Sequence, residues 1–329
     1  MKSLQKDFHG AFVISLDFEL HWGVSETRTV DDYRENLDNE RSAISQMLEL
    51  FDQCGIHATW ATVGFLFCRD KSSLLQKTEN IRKPNYKRNE LSNYALIPGI
   101  GDSHLDDPYH YAIDMIDKIR RYKYQEIGTH TFSHFYCLEE GNTVESFSDD
   151  LDLAINTAAT EGIKINSIVF PRNQYATEYL SICGKKGLIA YRGNSTHWLY
   201  KSLSTKEQHL LRRLGRLVDT YINISGKNSC EIDRAENEIV NVTASRFLRP
   251  YDPKLRVLEP LRLQRLKSEM SFAAANKKLY HLWWHPHNFG KHLDKNMAFL
   301  KKILEHYLLL NEKYSFPSLN MSEVANNYN

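Results

Sequence analysis

Residues 11–23, AFVISLDFELHWG, decide how this chain reads. Positions 11–16 form a short, mostly apolar and partly β-branched run that stops at Asp17, which predicts a buried strand whose C-terminal end carries a carboxylate. Downstream, Ile44, Met47, Leu48 and Phe51 recur at three- and four-residue spacing within 38–54, and Gly55 stands where a left-handed cap closes a helix. HATWATVG, 57–64, has the Thr and aromatic content of a second strand. Strand, helix, strand is the unit of parallel β/α packing.

The alternation continues outward. Short strands are predicted at 125–128, 167–171 (SIVFP), 188–193 (LIAYRG) and 279–285 (LYHLWWH), and helices near 108–123 and 291–307. The fold class is therefore α/β, a barrel of alternating strands and helices in one domain over 1–329. In such a barrel the C-terminal strand ends converge on one rim, where residues far apart in sequence meet. Two segments read as insertions. Residues 69–107 are polar and aperiodic and are placed over the barrel mouth; GDSHLDDPYHY, 101–111, reads equally as sugar contacts or as a solvated turn. Residues 200–275 contain two helical stretches, TKEQHLLRRLGRLVDTYINISG and RLQRLKSEMSFAAANKKL, and no strand that the pattern places.

Composition removes several classes of function. Lys and Arg total 42 against 41 Asp and Glu, so no global field attracts nucleic acid or an anionic membrane, and a partner has to be recognised locally. The five cysteines are odd in number and form no CxxC pair, which predicts reduced thiols. The apolar run before Asp17 is too short for a secretory or membrane-spanning segment, which predicts a cytoplasmic protein without a transmembrane span.

Chemistry concentrates in four places. In EIGTHTFSH, His130 and His134 are four apart, so one helical turn after a strand would present both imidazoles to a divalent metal. In SLDFELHWG, Asp17 and Glu19 are two apart, and extended geometry points both carboxylates into the rim, one to ligate and one to take a proton. Arg172 in VFPRNQY follows a buried strand and can pair with Asp17. His285 in LWWHPHN follows two tryptophans, where a partly desolvated imidazole can act as general acid; alternation puts His281, Trp283 and His285 on one face, and His287 is an alternative acid.

This set, in this order, resembles the polysaccharide deacetylase family, the NodB-homology carbohydrate esterases. Asp17 to Glu19 resembles its acidic strand end, HTFSH its histidine motif, RNQY at 172–175 its arginine loop, LWWH at 282–285 its late strand, and ATWATVG its second strand. The resemblance spans Asp17 to His285 and implies a distorted (β/α) barrel. It further implies Asp17 as general base, His130 and His134 as metal ligands, Arg172 as the group positioning Asp17, His285 as general acid and the backbone amide of Tyr175 as support for the oxyanion. Two departures stand out. Asp-Phe-Glu replaces adjacent aspartates, so Glu19 is the third ligand by same-side geometry, with Asp17 the alternative; and no Asp-x-x-x-Trp counterpart that would orient His285 is found.

The implied activity is metal-dependent removal of an N-acetyl or N-formyl group from an amino sugar or glycan precursor, in the branch that serves glycan biosynthesis. Imidazole and carboxylate ligands favour zinc, with cobalt, nickel or iron fitting similar coordination. Two further readings keep the fold: a ureide or cyclic-amide hydrolase, and a catalytically silent sugar-binding protein.

Overall fold

A computed structural model describes residues 10–201, 204, 210–231, 233–234 and 239–328. Its centre is β1 (Ala11–Phe18), every residue of which is buried. It lies between β2 (Ala58–Thr62) and β9 (Leu279–Trp284), parallel to both, with Asp17 opposite Ala61 and Leu16 opposite Trp284. Continuing from β2, the sheet adds β3 (Gln125–Thr129), β4 (Ser167–Ile168), β5 (Ala190–Tyr191) and β7 (Val240–Asn241), all parallel; β6 (Asp233–Arg234) pairs antiparallel outside β7, and β8 (Arg246–Phe247) flanks β9.

The sheet curls until its edges share one segment. Val240, Val242 and Ala244 donate to carbonyls of Ile189, Tyr191 and Gly193 on the β5 side, whereas Ser245 and Leu248 donate to His281 and Trp283 of β9. The result is a distorted (β/α) barrel. Part of the stretch expected as an insertion thus belongs to the barrel: the closing segment is too short and too mixed in polarity to show a strand period.

Helices α1 (Val30–Asp38), α2 (Glu40–Cys54), α3 (Lys71–Lys77), α4 (Ile113–Ile119), α5 (Val144–Thr160), α6 (Thr177–Lys185), α7 (Leu210–Asp219), α8 (Glu259–Ala275), α9 (His287–Gly290), α10 (Leu293–Tyr314) and α11 (Met321–Tyr328) complete the described chain. Gly55 caps α2 at φ 63°, the left-handed geometry that glycine adopts without cost. The beginning of the helical stretch expected from Thr205 lies outside the described residues, and the helix is seen from Leu210. No helix among the described residues is long and apolar enough to cross a membrane. None of the five cysteines is in a disulfide.

Alternation along β1 sorts the core into two layers. Phe12, Ile14, Leu16 and Phe18 face the large cluster beneath the helices, which includes Met47, Phe51, Ile303 and Leu304. Ala11 and Val13 face the barrel interior with Ala61, Val169, Ala190, Val240 and Leu279. Met321, Val324 and Ala325 of α11 belong to the same inner cluster and plug the barrel bottom. Further up, the interior turns polar at Ser15 and Asp17.

Candidate active site

Asp17 is the last inward residue of β1, and its partner is Arg192. The guanidinium donates to both carboxylate oxygens, Nη1 to Oδ1 at 2.6 Å and Nη2 to Oδ2 at 2.7 Å, with the arginine side chain 0% exposed. Arg192 also donates to Ser15 Oγ and Asn173 Oδ1, and its guanidinium stacks 4.1 Å from the Trp283 ring. Burial pushes the Asp17 carboxyl up, but Arg192 and the neighbouring His130 and His285 outweigh it and hold the group below the ordinary carboxylate range.

The pairing expected for Arg172 is therefore made by Arg192. Arg172 instead forms an ion pair with Glu26 and approaches Glu139 at 3.6 Å. Val169 faces the barrel interior, so Arg172, three residues on, has the opposite parity; past Pro171 it takes a left-handed φ of 54°, and it lines the cavity that Asp17 and Glu19 also line.

Glu19 lies just past β1 at the start of a tight turn, Leu20–Gly23, and collects the histidines. Its Oε2 is 3.1 Å from His134 Nε2 and 3.3 Å from His130 Nε2, while Oε1 is 3.1 Å from His287 Nε2. His285 Nε2 stands between the carboxylates, 3.6 Å from Asp17 Oδ2 and 3.7 Å from Glu19 Oε1. Burial works to raise the Glu19 pKa, but the surrounding imidazoles of His285, His130, His134 and His287 outweigh it and hold the group well below its ordinary value.

The histidine pair reaches Glu19 from an irregular loop, where a helical turn was expected. Thr131 and His134 both have positive φ, 64° and 62°. Asp150 of α5 organises the loop by accepting from the Phe132 and Ser133 amides and the Ser133 hydroxyl. Phe132 then packs against Gly64, where a Cβ would come within 2.3 Å of its ring.

Glu19, His130 and His134 are all buried, with ligand atoms within 4.8 Å of one another. The donor set fits a cation. His130 Nδ1 donates to Val169 O at 2.8 Å, so in the neutral ring Nε2 keeps its lone pair and turns it on an anionic carboxylate. A positive ion between the two removes that repulsion. His134 is less supported, since its Nδ1 is buried without a hydrogen-bond partner.

Asn288 fixes the orientation of His285. Its Nδ2 donates to His285 Nδ1 at 3.1 Å while its Oδ1 accepts from the Tyr33 hydroxyl at 2.8 Å. The proton of the neutral imidazole then lies on Nε2, pointing at the carboxylates. His281, four residues earlier on the same face, bonds to Val242 O and Ser15 Oγ and is buried. Asp17, Glu19, His130, His134 and His285 open on a cavity of about 390 Å³, which Arg216, Phe247, Arg249 and Trp283 also line. Tyr175 is not among the lining residues: its hydroxyl accepts from the Asn194 amide and its ring packs on Tyr191 and Phe170. In the 101–111 stretch, Asp107 is occupied by Gly101, Tyr109 and His110, and His110 continues to His21, so this carboxylate braces the loop rather than facing a ligand.

No family model and no curated protein matches the sequence. Solved structures do match. A protein from Mycobacterium smegmatis assigned by name to the polysaccharide deacetylases aligns with a TM-score of 0.63 at 11% identity, over 99% of this chain and 92% of its own. This chain has the polysaccharide deacetylase fold. A second protein so named, from Pseudomonas aeruginosa PAO1, aligns at 0.54 with 10% identity over 97% and 89% of the two chains. PuuE allantoinase gives 0.55 at 9% identity over the same shares.

Within the deacetylase fold, the residues missed from sequence are Arg192, Asn288 and the supporting Tyr33. Arg192 left a usable signal: it is two residues beyond Ala190, which faces inward, so strand parity puts it inside. Asn288 left none, because its contact depends on the turn into α9.

Proposed function

We propose that this chain is a metal-dependent hydrolase that removes an N-acyl group, acetyl or formyl, from an amino sugar. The observation that carries this reading is the convergence of Glu19, His130 and His134 beside a second carboxylate, Asp17, and an imidazole, His285, at one cavity. Glu19, His130 and His134 would hold a divalent cation, with zinc the best fit, which supplies Lewis acidity to the acyl oxygen and the attacking water.

The remaining steps belong to the chain. Asp17, kept ionised and oriented by Arg192, takes the proton of the attacking water. His285 directs its Nε2 into the same space and, as the doubly protonated imidazolium, delivers a proton to the departing amine and returns to the neutral ring. Trp283 and Phe247 give the sugar an apolar wall.

Likeness to an allantoinase supports a second reading, hydrolysis of a ureide. The test is release of acetate or formate from N-acetyl and N-formyl amino sugars, with allantoin as a parallel substrate, before and after dialysis against a chelator. Acyl release that disappears on chelation and returns with zinc is expected; full activity without metal, or cleavage of allantoin alone, overturns the proposal.

Gly23 offers a test of the ligand set that needs no substrate. A Cβ there would lie 1.9 Å from Glu19 Cδ and 2.0 Å from Oε1, so Gly23→Ala must displace the carboxylate. Zinc affinity measured by calorimetry is expected to fall by about 10–100-fold. Unchanged affinity would remove Glu19 from the ligand set.

A further inference from the structure

Two carboxylates and seven arginine or lysine side chains line the cavity. The carboxylates, Asp17 and Glu19, are bound up with Arg192 and the histidines. Most of the cations have acids of their own. Arg246 and Arg265 share Asp219 and Glu269, Arg262 holds Glu259, and Arg172 holds Glu26.

Arg249 has none. It is partly buried on the cavity wall, and among the described residues its guanidinium makes neither an ion pair nor a hydrogen bond. Burial pulls it below its ordinary pKa, against the opposing pull of Tyr221, Tyr200 and Asp252. Lys201, exposed on the same cavity, makes no ion pair among the described residues either. Arg216 adds to the positive field, and burial followed by the like charges of Arg212, Arg213 and Arg249 lowers its pKa as well. A guanidinium kept partly desolvated among like charges raises the energy of the empty cavity, and an anionic ligand would relieve it.

The strand register says where that anion would sit. Phe247 of β8 is paired with Trp283 of β9, and Leu248 donates to the Trp283 carbonyl, so two residues further along these parallel strands Arg249 comes level with His285. The Phe247 and His285 rings are 5.6 Å apart. His285 faces the departing amine, which is the sugar side of the amide, so Arg249 stands on the side where the sugar lies.

We propose that the amino sugar taken by this cavity bears a phosphate, as a monoester or within a diphosphate, bound by Arg249 and Lys201. The amide end of this assignment rests on the hydrolase reading, and the phosphate end rests on the cations alone. Charge favours phosphate over a sugar carboxylate. A phosphate ester carries about −1.5 to −2 near neutral pH, enough to answer two cations, whereas a uronate answers one. Guanidinium also meets phosphate oxygens two at a time, which fixes the direction of the ligand as well as holding it.

Calorimetric titration of the full chain tests this with glucose 1-phosphate, UDP-glucose, glucuronate and uncharged glucose. Both phosphate-bearing probes are expected to bind more tightly than glucuronate or glucose, in a manner that weakens with salt. Arg249→Met is expected to lose about tenfold in affinity, Arg249→Lys less, and Lys201→Met a smaller factor, with melting curves showing that each variant is folded. Tighter binding of glucose 1-phosphate would identify a monoester, and tighter binding of UDP-glucose a diphosphate; either upholds the proposal. It is overturned if neither phosphate probe binds, if folded Arg249→Met binds them as wild type does, if glucuronate binds best, or if His134→Ala abolishes binding, which would put the anion on the metal instead. Binding is read without catalysis. Phosphate probes that bind while no N-acyl sugar phosphate is hydrolysed would leave the anion site standing and remove the hydrolase reading, whereas acyl release without phosphate binding would remove this inference alone.

Discussion

Arg192→Met is expected to destabilise the protein by about 3–5 kcal/mol, because it leaves the Asp17 carboxylate buried and unpaired. Ser15 and Asn173 lose a donor as well, and Trp283 loses its cation. Asp17→Asn is expected to cost a comparable amount for the opposite reason, a guanidinium with 0% exposure facing a neutral amide. Combining the two removes both charges, so Asp17→Asn/Arg192→Met should recover much of the stability that either single change loses. Activity is expected to behave differently. Both singles and the double lose about 10²–10⁴-fold in kcat, since the base is gone in two of them and unoriented in the third. Urea denaturation of the four proteins, with acyl release measured alongside, checks both halves. A double variant whose loss equals the sum of the singles would mean that the two side chains do not interact in solution.

The difference between Arg172 and Arg192 shows what the sequence could deliver. Strands β1, β2, β3 and β9 were readable because each is a run of inward and outward residues long enough to show its character, and they carry Asp17, the approach to His130 and the approach to His285. β4 and β5, which fall within the strands expected at 167–171 and 188–193, and β7 and β8, which were not expected, have two residues each, too few for a period to show which side chains face inward. An arginine after β4 and one after β5 therefore looked alike. What separates them is parity: Arg192 continues the inward row of Ala190, whereas Arg172, three residues past Val169, has the opposite parity and lies in a left-handed turn. The spacing of His130 and His134 pointed to a shared metal through a helical turn, yet the structure joins them to Glu19 through a loop tied by Asp150. Side-chain convergence survived a wrong local conformation because the loop is fixed from outside, by a residue 16 positions after His134 that no short pattern includes.

His285→Ala is expected to lower kcat by about 10²–10⁴-fold while leaving zinc affinity and the melting temperature close to wild type. The argument starts from distance. His285 Nε2 is 3.6 Å from Asp17 and 3.7 Å from Glu19, near enough to exchange a proton through the reacting groups but outside the tight contacts that His130, His134 and His287 make with Glu19. Its side chain keeps 23% exposure at the cavity, so truncation leaves no sealed void. Burial nevertheless pushes the imidazole down to about 4, against the pull of Glu19 and Asp17, and at neutral pH the free ring carries one proton. Asn288 decides where that proton sits, because an amide Nδ2 donating to Nδ1 leaves only Nε2 protonated. When the ring takes a second proton, the same amide can turn over and accept it with Oδ1, releasing the Tyr33 hydroxyl toward His287 Nδ1, 2.8 Å away. Asn288→Ala removes this adjustable partner without touching a metal ligand, so it is expected to lower kcat by about tenfold with KM unchanged, a smaller loss than deletion of the acid itself. Steady-state kinetics on an N-acyl amino sugar, paired with zinc titration, separates the roles. His285→Ala that retains kcat within about threefold would remove it as the acid, and a matching loss of zinc would move it among the ligands.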